Sequence, residues 1–401
     1  MARTIRIANV GPGLCVQGGI SRVIALIGAH LPSHIGFRLI STFTRFTGDQ
    51  GATPSERGSR FGQGCVFFLA FTQVLILALG RRTVFHVHFA GRGSLLRKGV
   101  ICILLRSLRC QYVVHSHAAD TNLFQPRLPQ SCRRVILWGL SGAQRVIVLT
   151  RFWQDYYSSL LGLPANRVVL LPNPADLPQS VPDRSRREGL RMVFLGRIGT
   201  RKGAFDLVRA LAALPGDTLS GCHLTMAGDG EIDEARTLAA QLGCADRISF
   251  PGWTGPATVE RLLMESDVLL LPSYAEGMAM ALLEAMSWGL PVVTTGVGGA
   301  GEFLDHGRNC LLVTPGDIQG ICHAIDELAR NPMLRQRLGQ AARETMSQFS
   351  IDNYILRLTE VYGELAGRPP RGRPTAVFAP EMNHDALVPI VSAPPDHPLP
   401  R

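Results

Sequence analysis

The chain has 401 residues, 46% of them hydrophobic and 18% charged, a composition that excludes a disordered protein and leaves room for two cores. Residues 1–180 hold 20 Arg and Lys against 5 Asp and Glu, the remainder 21 against 26, so a basic half precedes a mildly acidic one within a net charge of +10. That asymmetry points to a polyanionic partner, nucleic acid or an anionic membrane, with a merely solubilising surface as the plain alternative. The nine cysteines form no CxxC pair, which argues against a zinc knuckle or redox motif and fits a reducing cytosol.

In chain order, MARTIRIANV reads as a first strand rather than a secretory leader. A glycine-rich loop follows, Gly11-Pro12-Gly13 and Gln17-Gly18-Gly19, and then a helix with Ile20, Val23, Ile24 and Ile27 at i, i+3, i+4, i+7. The loop is no dinucleotide fingerprint, because Val16 stands where a third Gly or Ala is needed and no acidic residue follows before Asp49. The run Cys65–Leu79 contains Thr72 and Gln73 and reads as too short to span a bilayer, so no membrane-spanning segment is expected. Strands are expected at Thr83–His88, Tyr112–His117, Arg145–Leu149 and Val168–Pro172, and a helix at Gly93–Arg109. Asn173–Arg187 breaks the rhythm with prolines and charges and reads as a linker. A second alternation follows, with strands at Arg191–Gly196, His223–Ala227, Arg247–Phe250, Val268–Pro272, Val292–Thr295 and Cys310–Val313. The tail from Gly367 carries nine prolines in 35 residues and reads as disordered. This pattern predicts an α/β protein of two doubly wound Rossmann-like domains facing a central cleft, the first at 1–180 and the second at 181–348, followed by a helix at 349–366 and the tail at 367–401.

The sharpest chemical signal is Glu276-Gly277-Met278-Ala279-Met280-Ala281-Leu282-Leu283-Glu284, which follows a strand and opens a helix. If the interval were all helix, Glu276 and Glu284 would lie about 12 Å apart along its axis. That exceeds the roughly 5–9.5 Å of paired glycosidase carboxylates. The two glutamates suit opposite ends of one long hydroxylated ligand, with the N–H groups of Gly277, Met278 and Ala279 as further donors. Against this stands an ordinary helix cap and a solvated carboxylate. The second signal is Gly196-Arg197-Ile198-Gly199-Thr200-Arg201-Lys202-Gly203, also at a strand end. Lys98 and Lys202 are the chain's two lysines against 39 arginines, and a compact ammonium at such a turn suits a diphosphate, although a solvated helix start has the same composition.

His86/His88 and His115/His117 each fall on one face of a strand. Asp120 is the one nearby candidate to complete a metal site, and no Asp-x-Asp clamp occurs, so no metal or other cofactor is expected. Arg197 and Lys202 would then neutralise the leaving group.

Together these motifs resemble the retaining glycosyltransferases of family 4, with the two-domain GT-B fold, from Ile5 to about Leu365. The resemblance implies that Glu276 holds the donor sugar's hydroxyls and Glu284 the ribose. It places Arg197 and Lys202 on the diphosphate, Gly18 and Gly19 in an acceptor and phosphate loop, and His117 near the sugar. Leu171-Pro172-Asn173-Pro174, Met226–Gly230 and Gly296–Gly299 are also typical of the family. His88-Phe89-Ala90 with Arg92, Ser94, Arg97 and Lys98 looks like polysaccharide-assembly members. Many members have Phe-Pro where this chain has Met278-Ala279, which obscures sugar preference.

The expected function is transfer of a hexose from a GDP- or UDP-sugar to a polyprenyl-diphosphate-linked acceptor in exopolysaccharide or lipopolysaccharide synthesis. A nucleotide-sugar epimerase, a phosphorylase or a non-catalytic membrane-surface protein are the alternatives. The enzyme would be cytoplasmic and peripheral on the inner face of an anionic plasma membrane. Leu95, Leu96, Val100, Ile103 and Leu104 would insert shallowly beside Arg92, Arg97, Lys98, Arg106 and Arg109, unless those apolar positions are ordinary core. Without interleaved aromatics or a recognition helix, nucleic acid is not expected as a partner.

Overall fold

The computed structural model describes residues 5–16, 18–43, 60–118, 129–184 and 189–367; Gln17, Asp49, Asp120 and the proline-rich tail beyond 367 lie outside them. The chain divides into two compact units, the first running to Pro174 and resuming at Ile351, the second spanning Ala175–Ser350. The division thus falls a few residues before the expected 180, and the last helix belongs to the first unit.

In the first unit the strands are β1 (Ile5–Gly11), β2 (Ile35–Ser41), β3 (Thr83–Phe89), β4 (Tyr112–Ser116), β5 (Arg145–Val148) and β6 (Val168–Leu170). They form one parallel sheet in the order β2-β1-β3-β4-β5-β6. The helices are α1 (Gly19–His30), α2 (Arg60–Leu79), α3 (Arg92–Ser107), α4 (Gln130–Ser141), α5 (Arg151–Leu161) and the final helix, which is α13 in chain order (Ile351–Leu365). Strand alternation sends Phe85, Val87, Tyr112 and Val114 into a core with Ala70, Val74, Leu95, Ile101, Ile136 and Trp153. The opposite face of β1, β3 and β4 is polar where it matters, with Asn9, His86, His88 and His115 all fully buried.

Helix α2 corrects the sequence reading. It runs twenty residues, and its stretch Gly62–Leu79 has mean hydropathy 1.9, long and apolar enough by length and composition to cross a membrane, with only 17% of it buried. Gly62, Gln63 and Gly64 interrupt the apolar run without interrupting the helix. Ala70, Val74 and Ala78, at i, i+4, i+8, pack into the core of the first unit, while Phe68, Leu69, Ile76 and Leu79 stay exposed.

The second unit repeats the plan. Its strands β7 (Leu190–Leu195), β8 (Cys222–Ala227), β9 (Ile248–Gly252), β10 (Val268–Leu271), β11 (Val292–Thr294) and β12 (Leu311–Leu312) form a parallel sheet ordered β12-β11-β10-β7-β8-β9. Helices α6 (Ala204–Ala212), α10 (Met280–Ser287), α11 (Ile318–Arg330) and α12 (Pro332–Met346) are among those covering it. Two parallel, doubly wound six-stranded sheets are the expected architecture; β2, with Ile35, Phe37 and Leu39 alternating, was the strand the sequence reading missed.

Candidate functional site

Both signal loops of the second unit leave the carboxyl ends of neighbouring strands, Gly196–Gly203 after β7 and Pro272–Ala279 after β10. They interlock through backbone. Gly203 takes φ 69, and a Cβ there would lie 2.2 Å from Pro272 O; Gly298 takes φ 64, and a Cβ would lie 1.8 Å from Glu276 O. Only glycine combines the left-handed φ with such close approach, which gives the family-like glycines a physical reason. Gly299 N–H donates to Gly277 O at 2.9 Å, and Tyr274 N–H to Arg201 O at 2.9 Å.

These contacts bring two of the expected residues together. Lys202 Nζ donates to Glu276 Oε1, and Ser273 Oγ donates to the same oxygen at 2.9 Å. Both charged side chains are largely buried, at 13% and 12% exposure. Arg197 is half exposed and reaches Asp229 Oδ2 at 3.3 Å, so its guanidinium keeps donors for another anion. Ser273 escaped the sequence reading, and Asp229, although it lies in the family-typical stretch Met226–Gly230, was given no role there.

Helix α10 begins at Met280 with Ala279 as its N-cap, and no side chain caps it. Glu276 is therefore not a helix cap, and the interval to Glu284 is only partly helical. Met278 and Ala279 are buried, and Glu284 is half-buried on α10. A pair of basic groups, a carboxylate and an uncapped helix start can together bind a group that is anionic at one end and hydroxylated at the other.

In the first unit, Gly18 is the N-cap of α1 and Gly19 its first residue, with open space where a Gly18 Cβ would stand. The four histidines form a stacked array. His86 and His88 lie 4.0 Å apart between ring centroids, His115 and His117 4.1 Å. His86 Nδ1 pairs with Tyr362 Oη of α13 at 2.7 Å and His86 Nε2 with His115 Nδ1 at 3.2 Å. His88 Nδ1 pairs with His117 Nε2 at 3.0 Å. Burial pushes His86 and His117 down to about 3, and His88 and His115 well below the usual imidazole range, with neighbouring imidazoles adding to the effect on His86, His88 and His115. All four are neutral near pH 7.

His86, His88 and His115 each offer one nitrogen within 4.8 Å of the others, a cluster of metal-ligand type formed by three of the histidines alone, without the Asp120 considered from the sequence. Both nitrogens of His86 are spent on hydrogen bonds, so a metal could enter only by breaking one of them. Lys98 is a correction too. Its ammonium is 1% exposed and donates to Thr42 Oγ1, and burial, with Arg97 beside it, lowers it to about 7, so it is no part of a basic surface. Leu95 is likewise core, while Leu96 and Val100 remain exposed.

Residues 45–174 match the family model for a glycosyl transferase 4-like domain, and residues 182–345 that for glycosyl transferases group 1. The chain belongs to these family-4-like glycosyltransferases. It is 34% identical over 181 residues to the lipopolysaccharide core biosynthesis glycosyltransferase LpsE of Rhizobium meliloti, a match covering 45% of this chain and 50% of LpsE. It is 30% identical over 243 residues to the exopolysaccharide phosphotransferase SCO2592 of Streptomyces coelicolor, covering 60% of this chain and 25% of that protein. The chain thus spans half or less of the length of these two relatives. Among solved structures, Anabaena Alr3699/HepE in complex with UDP and glucose superposes with TM-score 0.69 at 19% identity, covering 90% of this chain and 100% of HepE, which supports the GT-B fold. The glycosyltransferase's second unit is accordingly the part carrying the group 1 match and the Lys202–Glu276 pair.

Proposed function

We propose that this glycosyltransferase moves a hexose, such as mannose or glucose, from a UDP- or GDP-sugar to a polyprenyl-diphosphate-linked oligosaccharide, with retention at the anomeric carbon. The observation that carries the reading is the Arg197, Lys202 and Glu276 constellation at the ends of β7 and β10. Arg197 and Lys202 bind the diphosphate and neutralise charge as it leaves, Glu276 holds sugar hydroxyls, and Glu284 holds the ribose. Gly277, Met278 and Ala279 add backbone donors. Gly18 and Gly19 let the acceptor's phosphate approach backbone, and His117 meets substrate from the end of β4. The leaving diphosphate takes the acceptor's proton on its own face, so the protein contributes position and field rather than a nucleophile. No metal is needed for this chemistry.

The surface of the first unit supports a membrane-borne acceptor. Between Arg60 and Thr150 the sequence holds eleven arginines besides the buried Lys98, and its one acidic residue is Asp120. Phe68, Leu69, Ile76 and Leu79 of α2, Leu96 and Val100 of α3, and Val135 and Trp138 of α4 are exposed. Arg81 and Arg109, which follow α2 and α3, take φ 50 and 54, a conformation glycine would adopt at lower cost. Arginine at such positions favours an anionic bilayer as the partner, with α2 lying in its plane. A spanning α2 would instead tear Ala70, Val74 and Ala78 from the core. On this reading the enzyme works at the inner face of the plasma membrane.

Incubation with labelled nucleotide sugars and a lipid-diphosphate acceptor, with proton NMR of the product, tests the reading. The expected result is acceptor-dependent transfer with the donor's anomeric configuration. Release or epimerisation of the sugar without acceptor would overturn it, as would inversion.

A further inference from the structure

The histidine array of the first unit contains more than packing requires. Each imidazole is neutral and so carries one proton, on one of two nitrogens. Among the described residues, His88 Nε2 and His115 Nε2 are buried with no hydrogen-bond partner. A buried N–H without an acceptor is rarer and costlier than a bare lone pair. The His88 proton therefore belongs on Nδ1, where it is donated to His117 Nε2 across 3.0 Å. The same reasoning puts the His115 proton on Nδ1, donated to His86 Nε2, and the His86 proton on Nδ1, donated to Tyr362 Oη. Both chains of hydrogen bonds then have a fixed direction.

We propose that His88 is a positioning residue that fixes the tautomer of His117, so that His117 presents an N–H at Nδ1, and no lone pair, to the substrate. His117 Nε2 is occupied as an acceptor, which leaves its single proton on the other nitrogen. The His117 ring packs against His115 at 4.1 Å between centroids, tilted by 31°, and stacks on His88 at 5.3 Å. His117 is then a hydrogen-bond donor to a sugar hydroxyl or phosphate oxygen and cannot serve as a general base. This assignment rests on the reading that His117 meets substrate, and it deepens it by naming the chemistry: an oxygen acceptor on the ligand.

Nitrogen-15 NMR of the histidine-labelled full chain tests the tautomer directly, with the His117→Gln variant identifying the signals. Near pH 7.5 the expected pattern is a protonated Nδ1 and a bare Nε2 for His117. A protonated Nε2 would overturn the proposal. His88→Asp replaces the donor by an acceptor, so it should move the His117 proton to Nε2 and lower kcat by at least about tenfold at unchanged circular dichroism. His88→Asn, whose amide can still donate, should keep the Nδ1 proton and recover most of that loss. Equal losses in both variants without a change of His117 tautomer would reduce His88 to a packing role and refute the assignment. The substrate role of His117 is judged separately: wild-type turnover in His117→Gln would sink that reading whatever the NMR shows.

Discussion

Lys202 and Glu276, separated by 74 residues in sequence, share one hydrogen bond in the second unit, and Ser273 donates to the same carboxylate oxygen. Each charge is compensated by the other when no anion is bound. Under the proposed assignment, a bound diphosphate would compete with Glu276 for the Lys202 ammonium and loosen that carboxylate toward sugar hydroxyls.

That exchange ranks the basic residues. Lys202→Ala removes a phosphate ligand and leaves Glu276 as an uncompensated, largely buried negative charge. Arg197→Ala removes a half-exposed donor whose partner Asp229 remains hydrated. Both should lower turnover at subsaturating donor by at least about tenfold, Lys202→Ala more severely. Steady-state kinetics with circular dichroism as a folding control checks this; near wild-type rates in both would refute the diphosphate assignment.

The glutamates should separate in calorimetry. Glu276→Ala frees Lys202, so the affinity for the free nucleoside diphosphate should be unchanged or higher even as transfer fails. Glu284→Ala should weaken that nucleotide because a ribose contact is lost. Equal weakening in the two variants would contradict the division of labour.

Chelation offers a third check. With phosphate charge met by Arg197 and Lys202, activity should persist in excess EDTA. Activity lost on chelation and regained with Mg²⁺ or Mn²⁺ would show that the basic pair is insufficient.

The buried histidines make the first unit acid-sensitive. Folded His86 titrates at about 3 against 6.5 in the unfolded chain, and His88 and His115 are also lowered. Between those values the unfolded chain binds more protons, so stability is lost as pH falls below 6.5 and regained as it rises. Each such histidine contributes on the order of 1.4 kcal/mol per pH unit in that window. The urea midpoint of the first unit should therefore drop steeply from pH 7 to pH 5. His86→Phe should flatten the slope by about one proton, and an unchanged slope would show that the imidazoles are protonated within the fold.

Vesicle sedimentation addresses the surface of α2. Binding is expected to vesicles rich in phosphatidylglycerol, with little to neutral ones and release at high salt, since each basic side chain near the surface adds about 1 kcal/mol. Phe68→Ser combined with Ile76→Ser should weaken attachment without unfolding, because both side chains are exposed. Equal binding to both lipid types, or to neither, would refute electrostatic docking while leaving glycosyl transfer intact.

Local chemistry was readable in the sequence. The strand, turn and helix around Glu276 and Glu284, and the basic turn after β7, are written in consecutive residues, and glycine marks where the backbone must bend. Partnerships between distant segments were not readable: nothing near Arg197 announces Asp229, and nothing near Glu276 announces Lys202. Lys98 shows a signal present but overlooked. Leu95, Lys98, Cys102 and Leu105 recur at helical spacing and are all buried, so the lysine belongs to the inner stripe of α3 rather than to its charged neighbours Arg97 and Arg106. In α2 the apolar run was counted only from Cys65, although the helix extends back to Arg60 and packs through Ala70, Val74 and Ala78.

Because α13 is made last yet belongs to the first unit, synthesis does not complete the two units in the order in which they begin. By the time Ser350 is added, every residue of the second unit's sheet has been made, whereas His86 must still wait for Tyr362. A nascent chain thus lacks the Tyr362 partner of His86 and the packing of α13 on the first unit until that helix emerges. Shortening the chain from its C-terminal end as far as Tyr362 would leave the Lys202–Glu276 pair untouched and fall on the first unit, where it removes the Tyr362 partner of His86 and the Glu364 partner of Arg145.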